Sequence, residues 1–129
     1  NKLYYSGLGD GTIYEYDLGS GKSESIYKSD NDTGYFYITF DGNYIWMDDE
    51  GYKNMAMYFN KQSSSLDYTL YQLDRDGKLV AKRTIPDKEK IFSIMHGDSR
   101  RMFMFSFVNN RIVYIDKSNI EKGDIKELR

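Results

Sequence analysis

Apolar positions along this chain fall into short runs of strand length, separated by clusters of Gly, Asp and Asn, and no long stretch repeats at helical spacing. The pattern predicts strands at about Leu3 to Ser6, Thr12 to Leu18, Glu24 to Lys28, Tyr35 to Phe40, Tyr44 to Asp48, Met55 to Asn60, Tyr68 to Leu73, Leu79 to Ile85, Ile91 to Met95, Met102 to Val108, Arg111 to Ile115 and Ile125 to Leu128. Between them, Gly9-Asp10-Gly11, Gly19-Ser20-Gly21, Asp41-Gly42, Asp76-Gly77 and Asn109-Asn110 supply residues that tolerate positive φ, which tight hairpin turns require. Consecutive strands are therefore expected to pair antiparallel in an all-β chain with almost no helix.

Three segments line up. Thr12-Ile13-Tyr14-Glu15-Tyr16-Asp17-Leu18 followed by Gly21-Lys22, Thr69-Leu70-Tyr71-Gln72-Leu73-Asp74 followed by Gly77-Lys78, and Arg111-Ile112-Val113-Tyr114-Ile115-Asp116-Lys117 are each an apolar strand that ends in Asp. Ile13 and Leu70 are 57 residues apart, Leu70 and Ile112 42 apart. A four-stranded propeller blade takes about 40 to 50 residues, so the second spacing fits one blade and the first a blade with an insertion. The segments Tyr35–Phe40, Met102–Phe107 and Ile112–Ile115 are apolar at both parities, whereas a sheet wetted on one face alternates, so both of their faces are expected to be covered. Two registers remain open for the second blade. Tyr35–Phe40 pairs with Tyr44–Met47 across Asp41-Gly42, leaving 48–67 as an insertion, or Tyr44–Asp48 matches Phe92–His96 and Met55–Phe59 matches Met102–Ser106. The second is preferred, because the Met-rich runs then correspond without an insertion.

Composition sharpens this picture. Thirteen Tyr, seven Phe and one Trp against a single Pro suit pleated surfaces packed on their neighbours. At 129 residues the chain makes one structural unit, with approximate blades at 1–34, 35–90 and 91–129. A net charge of -2 argues against nucleic acid as a partner, since phosphate binding needs clustered Lys and Arg. The absence of Cys excludes disulfides, thiolate metal sites and a Cys nucleophile. No run approaches the roughly 18 to 20 apolar residues of a membrane-spanning segment. The chain begins Asn1-Lys2-Leu3-Tyr4-Tyr5, already strand-like, with neither initiator Met nor signal peptide, and reads as a piece of something longer.

The grammar of Leu3-Tyr4-Tyr5-Ser6-Gly7, then Thr12–Leu18, then Gly21-Lys22 resembles the blades of bacterial extracytoplasmic β-propellers of the TolB-like, six-bladed kind. The resemblance covers most of the chain and rests on turns and packed aromatics. It implies a ligand-binding or protein-contact module of the cell envelope or a secreted protein, and it carries no catalytic residues. The chain departs from the family pattern in having about three blades, the first without its innermost strand, while a closed propeller needs about four to eight. Either further residues supply the rest of the ring or other copies complete it, so exposed sheet edges predict a homo-oligomer.

Candidate chemistry is sparse. Asp30-Asn31-Asp32-Thr33-Gly34 begins as a calcium loop does, with oxygen ligands at alternate positions, but lacks a bidentate closing acid and reads as a β turn. Asp48-Asp49-Glu50-Gly51-Tyr52 is the densest acidic run and follows Trp46. Two carboxyls at fixed separation would serve a glycosidase, yet neighbouring strand positions point to opposite faces, so a solvated turn is the simpler reading. His96, Asp98 and Ser99 sit too close in sequence to assemble as a catalytic triad and read as a turn. Tyr35, Tyr37, Tyr44, Trp46, Tyr52 and Tyr58 supply either packing or an aromatic binding face, with Trp46 and Tyr52 the ones expected to be exposed. The leading expectation is thus a non-catalytic binding module, without cofactor or metal, whose ligand is a protein or a glycan contacted by Trp46, Asp48, Asp49 and Tyr52. The alternatives are a carbohydrate-active enzyme using Asp48, Asp49 or Glu50 with Asp30 or Asp32, and a structural piece whose surface serves assembly.

Overall fold

A computed structural model describes residues 1–7, 11–29, 37–49, 59–60, 67–86, 93–94, 96–106 and 109–129, for Asp49 the backbone alone. Aromatic and β-branched runs form strands β1 (Lys2–Ser6), β2 (Thr12–Asp17), β3 (Lys22–Lys28), β4 (Tyr37–Phe40), β5 (Ile45–Asp49), β6 (Tyr68–Leu73), β7 (Leu79–Ile85), β8 (Ser93–Ile94), β9 (Arg101–Ser106), β10 (Arg111–Asp116) and β11 (Lys126–Glu127). A 3-10 turn, Lys117–Asn119, follows β10. No helix among the described residues is long and apolar enough to cross a membrane.

The strands build three antiparallel sheets, each a simple meander: β1-β2-β3, β4-β5-β6-β7 and β8-β9-β10-β11. The first sheet has three strands and the others four. Each of the five turn clusters read from the sequence has a positive-φ residue among its described positions, at Gly11, Gly21, Gly42, Gly77 and Asn110. An Asp side chain fastens three of these turns by accepting two backbone N–H groups, Asp17 from Gly19 and Ser20, Asp41 from Asn43 and Tyr44, and Asp74 from Asp76 and Lys78, and Asp98 fastens the turn before β9 in the same way through Arg100 and Arg101.

The second sheet lies between the other two, and β5 shows how. Its odd positions, Ile45 and Met47, join Ile13 and Leu73 in a cluster with Tyr4 and Ile26 of the first sheet. Its even position Trp46 joins Tyr68, Leu70 and Ile85 in a cluster with Ile94, Met102, Met104, Val113 and Ile115 of the third. Two-sided burial explains why this sheet lacks alternation. In the third sheet only one parity enters a core: Met102 and Met104 are buried, while Phe103 and Phe105 lie half-buried on the other face.

Pairing decides between the two registers. β4 pairs with β5 across Asp41-Gly42, and β5 pairs next with β6. The preferred match through the Met-rich runs is therefore corrected, since 50–67 forms an insertion between adjacent strands and β5 corresponds to β9. Of the strand expected at Met55–Asn60, Phe59 and Asn60 are not strand and the rest lies outside the described residues.

Asp48 ties the second and third sheets together. Its side chain is wholly buried and accepts hydrogen bonds from the Tyr68 hydroxyl at 2.8 Å, the Ile94 N–H at 3.1 Å and the Tyr37 N–H at 3.3 Å. The Ile94 amide belongs to the edge strand β8, so Asp48 satisfies a donor that no neighbouring strand in its own sheet takes up.

Candidate functional site

The acidic run does not form a solvated turn where the structure describes it. Asp48 sits in β5 with three donors around its carboxylate, which removes it from any acid–base role at the surface. Trp46, expected to be exposed, is fully buried: its indole N–H donates to Asp41 at 2.8 Å and the Lys117 ammonium lies 5.4 Å from the ring centroid. The side chain of Asp49, and Asp30, Asp32, Glu50 and Tyr52, lie outside the described residues, as do Tyr35 and Tyr58. Tyr37 and Tyr44 are each 36% exposed. Asp98 is taken up by Arg101, which donates from both Nε and a terminal nitrogen, and the ring of His96 faces the Thr39 hydroxyl at 3.1 Å, so His96, Asp98 and Ser99 make no triad. Among the described residues no three His, Asp or Glu side chains converge on a position for a metal ion.

What the folded chain does present is a groove of about 480 Å³ between the second and third sheets. The β4–β5 turn contributes Asp41, Asn43 and Tyr44, β6 contributes Gln72, the turn before β9 contributes Asp98 and Ser99, and the turn after β10 contributes Lys117 and Ser118. A recess of about 340 Å³ continues it over Tyr44, Gln72, Lys117 and Ser118. At its base Lys117 and Asp41 form an ion pair at 2.6 Å, their side chains 11% and 9% exposed. Burial acts against the charged carboxyl of Asp41, but Lys117, the Tyr44 N–H, the Trp46 indole and the Asn43 N–H together hold it down at about 2. A fixed charge pair already satisfied by its own fold leaves the groove with no net charge to offer.

Gln72 distinguishes this groove. The residue is 5% exposed and lines both the groove and the recess, and its side chain has no hydrogen-bond partner among the described residues. The repeat supplies a comparison, because an equivalent groove of about 560 Å³ runs between the first and second sheets. There Glu15 stands where Gln72 stands, 57 residues earlier, and is closed by an ion pair with Lys2 at 2.6 Å. Arg75, equivalent to Lys117, donates to the Gly42 carbonyl and covers the Phe40 ring. The first groove is internally satisfied, and the second keeps its central side chain available.

Sequence reasoning passed over Asp41, Gln72 and Lys117. A signal for them existed: the match of Thr12–Lys22 with Thr69–Lys78 sets Gln72 against Glu15, and Asp41 precedes Asp98 by the same 57 residues. The sequence matches no protein-family model and no curated protein.

Proposed function

We propose that this chain is a non-catalytic binding module of β-propeller type, part of a larger cell-envelope or secreted protein, that takes a neutral, hydroxyl-rich ligand such as a glycan in the groove between its second and third sheets. The observation that carries the reading is the side chain of Gln72, nine-tenths buried and set in a groove where Asn43, Tyr44, Ser99 and Ser118 stand beside the charged residues Asp41, Lys117 and Asp98, each of them paired within the fold. A carboxamide both donates and accepts, which matches sugar hydroxyls, and the ring of Tyr44 at the rim offers an apolar face beside them. The internal pairing of Asp41 with Lys117 disfavours a charged ligand, which would meet an already compensated pair. Commitment of Asp41, Asp48 and Asp98 to hydrogen bonds within the fold supports recognition over proton transfer.

The test is titration of the chain with maltotriose and with chitotriose, followed by amide chemical shifts. The expected result is saturable shifts at residues of the groove, an affinity at least about tenfold weaker in Gln72→Ala, and no loss of thermal stability in that variant. Absence of saturation by either sugar at millimolar concentration, or equal binding by the variant, would remove the reading. Release of reducing ends would instead favour the carbohydrate-active enzyme.

A further inference from the structure

The groove of Gln72 is the middle of three hollows that adjoin one another around the Lys117–Asn119 turn. Lys117 and Ser118 line all three. The recess of about 340 Å³ meets the groove at Tyr44 and Gln72 and runs on to Val80 and Ala81 of β7. A further hollow of about 390 Å³ meets it at Ser99 and runs on to Arg100 and Asp116. Each alone exceeds the roughly 300 Å³ at which pockets begin to hold a small ligand. Gln72 and Tyr44 do not line the further hollow, and Ser99 does not line the recess, so the path leaves the groove by two different margins. The site is thus open on two sides rather than closed around a single unit.

Chemistry along the path suits a chain of like units. Tyr44 beside Gln72 sets an aromatic ring next to an amide, and the recess repeats the combination with Val80, 49% exposed, and the exposed Asn119. Such a repeat matches a polymer whose units each present an apolar ring face and hydroxyl groups. Arg100 and Glu121 stand at opposite ends with opposite charge, and Asp116 pairs with Lys126 at 3.8 Å, so no run of one sign builds up. We propose that the site holds internal units of a linear neutral polysaccharide, one on Gln72, a neighbour in the recess on Val80 and Asn119, and another in the hollow of Ser99 and Arg100. The inference rests on the reading of the groove as a glycan site and adds that the ligand is recognised along its chain, not by its end. Val80 becomes a determinant of ligand length, although it lies on a different strand from Gln72.

A chain-length series tests this. The protein is titrated with maltose, maltotriose and maltopentaose and with chitobiose, chitotriose and chitopentaose, followed by amide chemical shifts and calorimetry. In the series that binds, affinity is expected to rise at least about tenfold from disaccharide to pentasaccharide, the gain of one or two added contacts. Shifts at Val80 and Arg100 appear together only with the longer chain, because a disaccharide seated on Gln72 reaches one margin at a time. Val80→Asp lowers pentasaccharide affinity at least about threefold and leaves disaccharide affinity unchanged, whereas Gln72→Ala weakens both. Borohydride reduction of the terminal unit leaves pentasaccharide affinity unchanged. Far-UV circular dichroism checks that Val80→Asp is folded, and Val80→Ser replaces it if it is not. Equal affinities at every length, or a Val80 variant that keeps the full gain, would overturn the inference and leave the glycan reading in place. Loss of binding on reduction would overturn it too, by showing that the site takes a chain end. Failure of every sugar in both series to bind removes the glycan reading and this inference with it.

Discussion

Replacing Asp41 by Asn probes the base of the groove with little change of shape. The carboxylate accepts four hydrogen bonds, from the Asn43 and Tyr44 amides at 2.8 and 2.7 Å on one oxygen and from Trp46 and Lys117 at 2.8 and 2.6 Å on the other. An Asn oxygen can keep the first two, but its NH2 then meets two donors, and the Lys117 ammonium, 11% exposed, loses its counter-charge. Breaking a fully buried pair costs about 3–5 kcal/mol and losing a surface pair about 0–1, so a site one-tenth open is expected to cost about 2–3 kcal/mol. Titration gives a second route to the same size. A carboxyl near 3.8 when unfolded and about 2 when folded contributes at most about 2 kcal/mol at neutral pH, the upper value because water at the groove screens the pair. Since the folded value is depressed, that stability is complete above the unfolded value and is lost as pH falls from about 4 through about 2. Urea melts followed by far-UV circular dichroism at pH 7 and at intervals down to pH 2 are the assay, and the difference between wild type and variant isolates Asp41 from Asp17 and Asp98, which are also depressed. Lys117→Met completes a double-mutant cycle with an expected coupling of about 1–2 kcal/mol. A cost below about 0.5 kcal/mol for Asp41→Asn, or an unchanged acid dependence, would refute the account of the site.

Two further predictions concern the fold that holds the groove. Gly77 has φ +84°, and a Cβ there would stand 2.1 Å from the Ile26 carbonyl oxygen, whereas Gly42 has φ +95° with open space around it. Gly77→Ala is therefore expected to cost over about 2 kcal/mol by forcing the first and second sheets apart, and Gly42→Ala only about 1 kcal/mol of backbone strain, a contrast that thermal melts of the two variants would read. Tyr68→Phe removes the hydroxyl that donates to Asp48 beside the Ile94 and Tyr37 amides and is expected to cost about 1–3 kcal/mol, with hydrogen exchange at Ile94 accelerating as the cross-sheet tie loosens.

Strand positions were legible because their cause is local: pleated surfaces select aromatic and β-branched residues, and hairpins select Gly and Asn. Coverage of both faces was not read correctly: Met102–Phe107 and Ile112–Ile115 carry apolar residues at both parities, yet in β9 and β10 only one parity enters a core, while the two-sided burial falls on β5, which was not singled out. Burial of Trp46 and Asp48 was not legible either. The donors around Asp48 come from Tyr68 and Ile94, 20 and 46 residues onward, and no neighbouring residue announces them. An acidic run beside an aromatic looks solvated until the partners arrive from another sheet. The register error has a different origin, since Met-rich composition recurs in Met55–Phe59 and Met102–Ser106 without marking equivalent strands. The Asp41 and Asp98 turns mark them correctly through a conserved geometry of two accepted amides, which is a better guide to repeat phase than apolar identity.

Trp46 is the only tryptophan, and its place gives the chain a built-in optical reporter. Its indole contacts Asp41 at the N–H and Lys117 over the ring, all at the boundary of the second and third sheets, while Ile45 and Met47 turn to the opposite boundary. Emission therefore follows separation of the third sheet and is blind to separation of the first. In a stack whose members touch only their neighbours, end sheets are able to detach one at a time. Fluorescence read beside circular dichroism on one sample thus resolves which end leaves first, without any introduced label.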